Sequence, residues 1–85
     1  MTNIEDVVRE VLRDVLGISD ARVEAFDAHT GLFGALPEFD SIAVAAVLTE
    51  LEDRLGILID EDDVDGDLLA TFGALTDYAA SKVRR

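Results

Sequence analysis

The chain of 85 residues contains no cysteine and no tryptophan. Without a thiol, neither a disulfide framework nor a thiolate metal site can form, and the redox compartment leaves no mark on the sequence. Proline occurs once, at Pro37, and aromatic residues make up only 6%. Positive charge is scarce: seven Lys and Arg stand against 19 Asp and Glu, for a net charge of −12. Such a polyanion repels phosphate backbones and anionic headgroups, so nucleic acid and membranes are poor partners. No run is long and apolar enough to span a bilayer, and the acidic start MTNIEDVVRE lacks the basic-then-apolar order of an export signal. A cytoplasmic protein without membrane insertion is expected.

Against these absences stands a hydrophobic fraction of 49%, enough to fold despite the charge. The length accommodates one domain over 1–85, with a core gathered from the whole chain. The acidity suits basic protein surfaces, which complementary charge brings together quickly; it serves solubility equally well.

Apolar residues recur at helical spacing in three places. Ile4, Val7, Val8, Val11, Leu12, Val15 and Leu16 form one stripe, opposite Glu5, Asp6, Arg9, Glu10, Arg13 and Asp14. Thr2 with Glu5 has capping-box spacing, Asn3 is a competing cap, and Gly17 supplies the stop. A second helix runs over 42–55 to Gly56, capped by Asp40 or Ser41, with Val44, Val47, Leu48, Leu51 and Leu55 as its core stripe. Its first two turns, IAVAAVL, are apolar on every face, so they are buried all round or offer one face to a partner. Thr71 caps a last helix over 72–83, with Phe72, Leu75, Tyr78 or Ala79, and Val83 inward. Lys82, Arg84 and Arg85 suit the negative end of its dipole.

Between the first two helices, residues 17–40 hold no comparable run. Val23, Phe26, Leu32, Phe33 and Leu36 are scattered anchors that predict a packed-down loop with a helical turn near 21–26. The link Ile57-Leu58-Ile59 leads into an acidic stretch, 60–67, that holds one short helical turn. The architecture is all-α: a three- to four-helix bundle with a long first loop.

On these residues the chain resembles the acyl carrier protein family over essentially its whole length. Asp40-Ser41-Ile42 is similar to the family's Asp-Ser-Leu-type attachment motif, at the start of the second helix and after the long first loop. Leu51-Glu52-Asp53-Arg54-Leu55-Gly56-Ile57, Thr71 and the pair Asp77-Tyr78 fall where family members carry related features. The resemblance implies that a phosphopantetheinyl transferase joins 4′-phosphopantetheine to Ser41, with Asp40 and Ile42 as flanks. It implies a monomeric carrier, not an enzyme, whose arm bears the acyl thioester that a chain without cysteine cannot form itself. Acyl-loading and acyl-transfer enzymes with basic or apolar docking surfaces are the implied partners. Carriers of bulk fatty acid biosynthesis usually have acidic residues in the first two turns of this helix; here Ala43 and Ala46 stand there, and Phe39 precedes the motif. Those departures point to a specialised lipid, polyketide or exopolysaccharide-linked pathway and to docking by apolar contact. The run Gly34-Ala35-Leu36-Pro37-Glu38-Phe39-Asp40-Ser41 is similar to carriers of exosortase-associated exopolysaccharide systems.

Three other readings compete. Ser41 is a common helix-cap residue. With Gly66 at position six of a calcium loop, Glu61, Asp63 and Asp65 take positions one, three and five, but position twelve falls on Phe72, where a carboxylate is needed. His29, the sole histidine, has no evident partner for a catalytic triad with Ser41 and reads as a surface loop residue. An acidic helical adaptor without any arm fits composition and periodicity as well as a carrier does.

Overall fold

A computed structural model describes residues 3–83. They form five helices: α1 (Ile4–Leu16), α2 (Asp20–Glu24), α3 (Ser41–Leu55), α4 (Gly66–Ala70) and α5 (Phe72–Val83), with one 3₁₀ turn at Glu61–Asp63. The three long ones are those the apolar spacing predicts; α2 and α4, five residues each, are the additions. Asn3 takes the cap of α1, its side chain accepting the Asp6 N–H at 2.8 Å. The expected Thr2 box and the Arg84–Arg85 pair lie outside the described residues. Gly17 and Gly56 end α1 and α3 in the left-handed region, at φ 70° and 65°, where a side chain would be strained.

α1 lies along α3 and also touches α2 and α5, while α4 packs on α5. The core between them is apolar: Val8, Val11 and Leu12 from α1, Val47 and Leu51 from α3, and Phe72, Leu75 and Ala79 from α5 are all buried. Among the described residues no polar or charged residue is buried as a whole. Val44, Leu48 and Leu55 pack at the margin of this core, half-buried.

The long first loop is held by its own anchors. Ile18, Val23, Phe26, Leu32 and Phe39 are buried, whereas Phe33, expected as an anchor, is exposed and meets Phe39 edge-on at 6.0 Å. Backbone bonds stitch the loop to the junction of α4 and α5. The Leu32 and Phe33 N–H groups donate to the carbonyls of Ala70 and Leu69 at 2.9 and 3.0 Å, and the Phe72 N–H donates to Thr30 at 2.9 Å. The Gly73 N–H donates to Ala28 at 3.1 Å. A Cβ on Gly73 would sit 2.6 Å from that carbonyl oxygen, so the approach is possible only for glycine.

Two expectations need correcting. Arg9 does not belong to the solvent face of α1. Its side chain is only 16% exposed and donates to the carbonyls of Val23 and of Phe26, the latter at 2.7 Å, while its guanidinium lies 4.7 Å from the Phe72 ring centre. It thereby supplies a donor to the Phe26 carbonyl just past α2 and a further donor to the Val23 carbonyl, which also accepts the Phe26 N–H at 3.1 Å. Val83 does not face inward. It is 40% exposed, because the core ends at Ala79 and the last turn of α5 buries the Lys82 stem instead.

Candidate functional site

Ser41 is the first residue of α3, and its position follows from the residue before it. Asp40 is the cap: its backbone is extended and its carboxylate accepts the Ala43 N–H at 2.8 Å. Its carbonyl accepts the Val44 N–H at 2.9 Å. Sequence left two candidates for this duty, and the geometry gives it to Asp40. Phe39, one residue earlier, is buried and anchors the entry to the helix. Its spacing to Val44 is that of a hydrophobic staple across an N-terminus, a signal visible in the sequence once the cap is placed. On the loop side, Arg22 of α2 ion-pairs with Glu38 at 2.6 Å, which holds the Glu38 carboxyl below its ordinary range. Three neighbouring residues thus fix the backbone that leads into Ser41.

The Ser41 side chain is left without structural duty. It is exposed, and among the described residues its hydroxyl enters no hydrogen bond. The N–H groups of Ser41 and Ile42 are likewise unused by the helix. A 15-residue helix therefore presents an exposed hydroxyl beside two open donors at its positive end, an arrangement that favours a phosphate ester on that oxygen. Asp40 opposes it as a like charge. Its carboxylate, however, is already committed to the cap.

Ile42 is 83% exposed, so it is not core. Ala45, Ala46 and Thr49, at the same helical face, are exposed as well. The apolar first turns of α3 thus offer one face outward. Acid returns further along, but two of the three carboxylates are engaged within the chain: Glu50 pairs with Arg54 at 2.8 Å, and Glu52 accepts the Ile59 N–H at 2.8 Å. Asp53 is exposed.

The competing constellations do not assemble. His29 is exposed in the turn 27–30, its own N–H donating to the Asp27 carboxylate at 2.8 Å. Of the proposed calcium-loop positions, Asp65 caps α4 through the Leu68 N–H, Asp63 accepts from the Tyr78 hydroxyl, and Phe72 is in the core. Among the described residues no three His, Cys, Asp or Glu are placed to hold a metal ion. A polar cleft between α1 and α2, lined by Asp6, Arg9, Glu10, Arg13, Asp20, Val23 and Glu24, excludes the Ser41 region altogether. Among the described residues no helix is long and apolar enough to cross a membrane.

Comparison with known proteins identifies the family. The family model described as the phosphopantetheine attachment site matches residues 6–79. Among solved structures, the solution NMR structure of a holo acyl carrier protein from Nitrosomonas europaea matches with a TM-score of 0.87. The two are 33% identical, and the match covers 100% of each chain.

Proposed function

The chain belongs to the acyl carrier protein family, whose members bear a covalent 4′-phosphopantetheine, and from that premise we propose that the Ser41 hydroxyl is the point of attachment. The observation that carries the proposal is the division of labour at the start of α3: Asp40 caps the helix, so the neighbouring hydroxyl is exposed and uncommitted. The open N–H groups of Ser41 and Ile42 receive a phosphate oxygen there. Phe39 and the Arg22–Glu38 pair hold the segment steady while an enzyme works on it. When attached, the arm supplies the thiol that the sequence lacks, on which an acyl group is carried as a thioester.

On this reading residues 1–85 are one carrier domain, without catalysis of its own. A phosphopantetheinyl transferase loads it, and acyl-loading and acyl-transfer enzymes then meet it at the face of Ile42, Ala45 and Ala46. That face is apolar and uncharged in its first turns, which supports a specialised lipid, polyketide or exopolysaccharide-linked role over bulk fatty acid synthesis. A cytoplasmic setting fits the coenzyme A that loading consumes.

The absence of cysteine gives a clean test. A thiol reagent should titrate no thiol on the protein before incubation with coenzyme A, Mg²⁺ and a phosphopantetheinyl transferase, and one per chain on the protein separated from coenzyme A afterwards. If the folded protein gains none with several transferases, Ser41 is an ordinary helix residue and the chain is an acidic adaptor that binds through the same apolar face.

A further inference from the structure

The two ends of α5 are held by different chemistry. At its start, four backbone hydrogen bonds join 28–33 to 69–73, supported by the Phe26–Phe72 ring contact at 5.8 Å. At its far end the ties seen among the described residues are made by side chains. The Lys82 ammonium, on a side chain only 6% exposed, lies 3.5 Å from Asp60 and 3.6 Å from Asp63. It also sits 5.5 Å from the Tyr78 ring centre, and the Tyr78 hydroxyl donates to Asp63 at 2.8 Å. Asp60 precedes, and Asp63 ends, the 3₁₀ turn in the linker from α3 to α4. Among the described residues, these groups and the core beneath them tie the long helix to the linker.

The seam between α3 and α5 is what this end closes. The two helices run the same way, from the loop end near Thr30 to the linker end near Asp60. Their backbones scarcely approach one another, each packing chiefly on other helices. Side chains fill the space: Val47 and Leu51 from α3, Phe72 and Leu75 from α5, every one buried. A chain entering from the Ser41 end must part these residues. The stitched start of α5 cannot yield without losing backbone bonds. The far end can, because ion pairs and one hydroxyl bond re-form in water at small cost.

We propose that Asp60, Asp63, Tyr78 and Lys82 form a latch that pins the far end of α5 to the α3–α4 linker and sets how deep an acyl chain can reach into the seam. The cargo role rests on the carrier reading of Ser41; the latch itself does not. α5 pivots about its stitched start when the latch opens, and the linker moves away as one piece with the 3₁₀ turn.

Two variants test it. Lys82→Met keeps the buried stem and removes the charge; Tyr78→Phe removes only the hydroxyl. Hydrogen exchange on the unloaded protein should rise about tenfold at amides of 60–65 and 78–82 in Tyr78→Phe, which loses a hydrogen bond to a charged group, and by a few-fold in Lys82→Met, which loses the longer ion pairs. Amides of 28–33 and 70–73 should be unchanged. A uniform rise along the chain, or none in either variant, overturns the latch. With Ser41 loaded as hexanoyl, octanoyl, decanoyl or dodecanoyl thioesters, Lys82→Met should extend protection from hydroxylamine to longer chains than the wild type protects. An unchanged chain-length profile overturns the cargo role. A protein that accepts no arm refutes the carrier reading and the cargo role together, while the exchange data still decide whether the latch holds α5.

Discussion

Asp40 and Ser41 are adjacent and both are residue types that cap helices, but the structure gives the cap to Asp40 and leaves the Ser41 hydroxyl without a hydrogen bond among the described residues. Replacing each by alanine separates the two. Asp40→Ala removes the acceptor of the Ala43 N–H and an acidic group from the positive end of α3, which together cost about 1 kcal/mol, within a usual range of about 0.5–2. For a chain of this size the urea dependence is about 1 kcal/mol per molar, so the midpoint should fall by about 1 M. Asp40→Asn keeps the acceptor and should stay close to the wild type. Ser41→Ala removes a hydroxyl that bonds nothing and places a better helix former at the first helical position, so its midpoint should match or slightly exceed that of the unmodified wild type. The assay is urea unfolding followed by circular dichroism on unloaded protein. A Ser41→Ala midpoint as low as that of Asp40→Ala would refute the reasoning, because the hydroxyl would then have a structural role.

Other outcomes follow from single contacts. Gly73→Ala would ordinarily gain up to about 1 kcal/mol in a helix, but here the new Cβ meets the Ala28 carbonyl oxygen at 2.6 Å. The clash should dominate, and thermal unfolding should show a net loss of about 1–3 kcal/mol. Burial, and then the bond to Asp63, push the Tyr78 phenol above its ordinary value. Folding therefore favours the neutral phenol: that stability is complete below the unfolded-state value of about 10 and is lost as pH rises through the higher folded-state value. Absorbance titration should show tyrosinate forming at higher pH in the folded protein than in urea, and coincident curves would contradict the contact. Leu51 is fully buried in the α3–α5 seam; on the carrier reading, Leu51→Trp should shorten the longest acyl chain protected from hydrolysis, and an unchanged profile would place the cargo elsewhere.

The three long helices were legible in the sequence because each buries a stripe with a helical period, and a stripe can be read without knowing its partner. The position of Ser41 was legible for the same reason, since it opens the second stripe. Its freedom was not. Two good caps in adjacent positions differ only in which carries the extended backbone, and that is decided by where Phe39 is buried and where Glu38 meets Arg22. The roles of Arg9 and Lys82 were hidden further. Periodicity places Arg9 opposite the apolar stripe and Lys82 reads as a match to the dipole of its own helix, yet Arg9 finds carbonyls of Val23 and Phe26 and Lys82 finds Asp60 and Asp63. Those partners lie 14 to 22 residues away along the chain, beyond any local pattern. The acidic stretch shows the same limit: its composition invited a calcium loop, while its carboxylates serve as a cap at Asp65 and as acceptors for α5 at Asp63.

The central claim is that Ser41 carries the arm. Intact-protein mass spectrometry tests it most directly, after incubation with coenzyme A, Mg²⁺ and a promiscuous phosphopantetheinyl transferase, on the wild type, Ser41→Ala and Asp40→Asn. The account predicts a gain of one 4′-phosphopantetheinyl group in the wild type, and none in a Ser41→Ala protein that is equally well folded. A wild type that gains nothing, or a Ser41→Ala variant that gains the same mass, would contradict it.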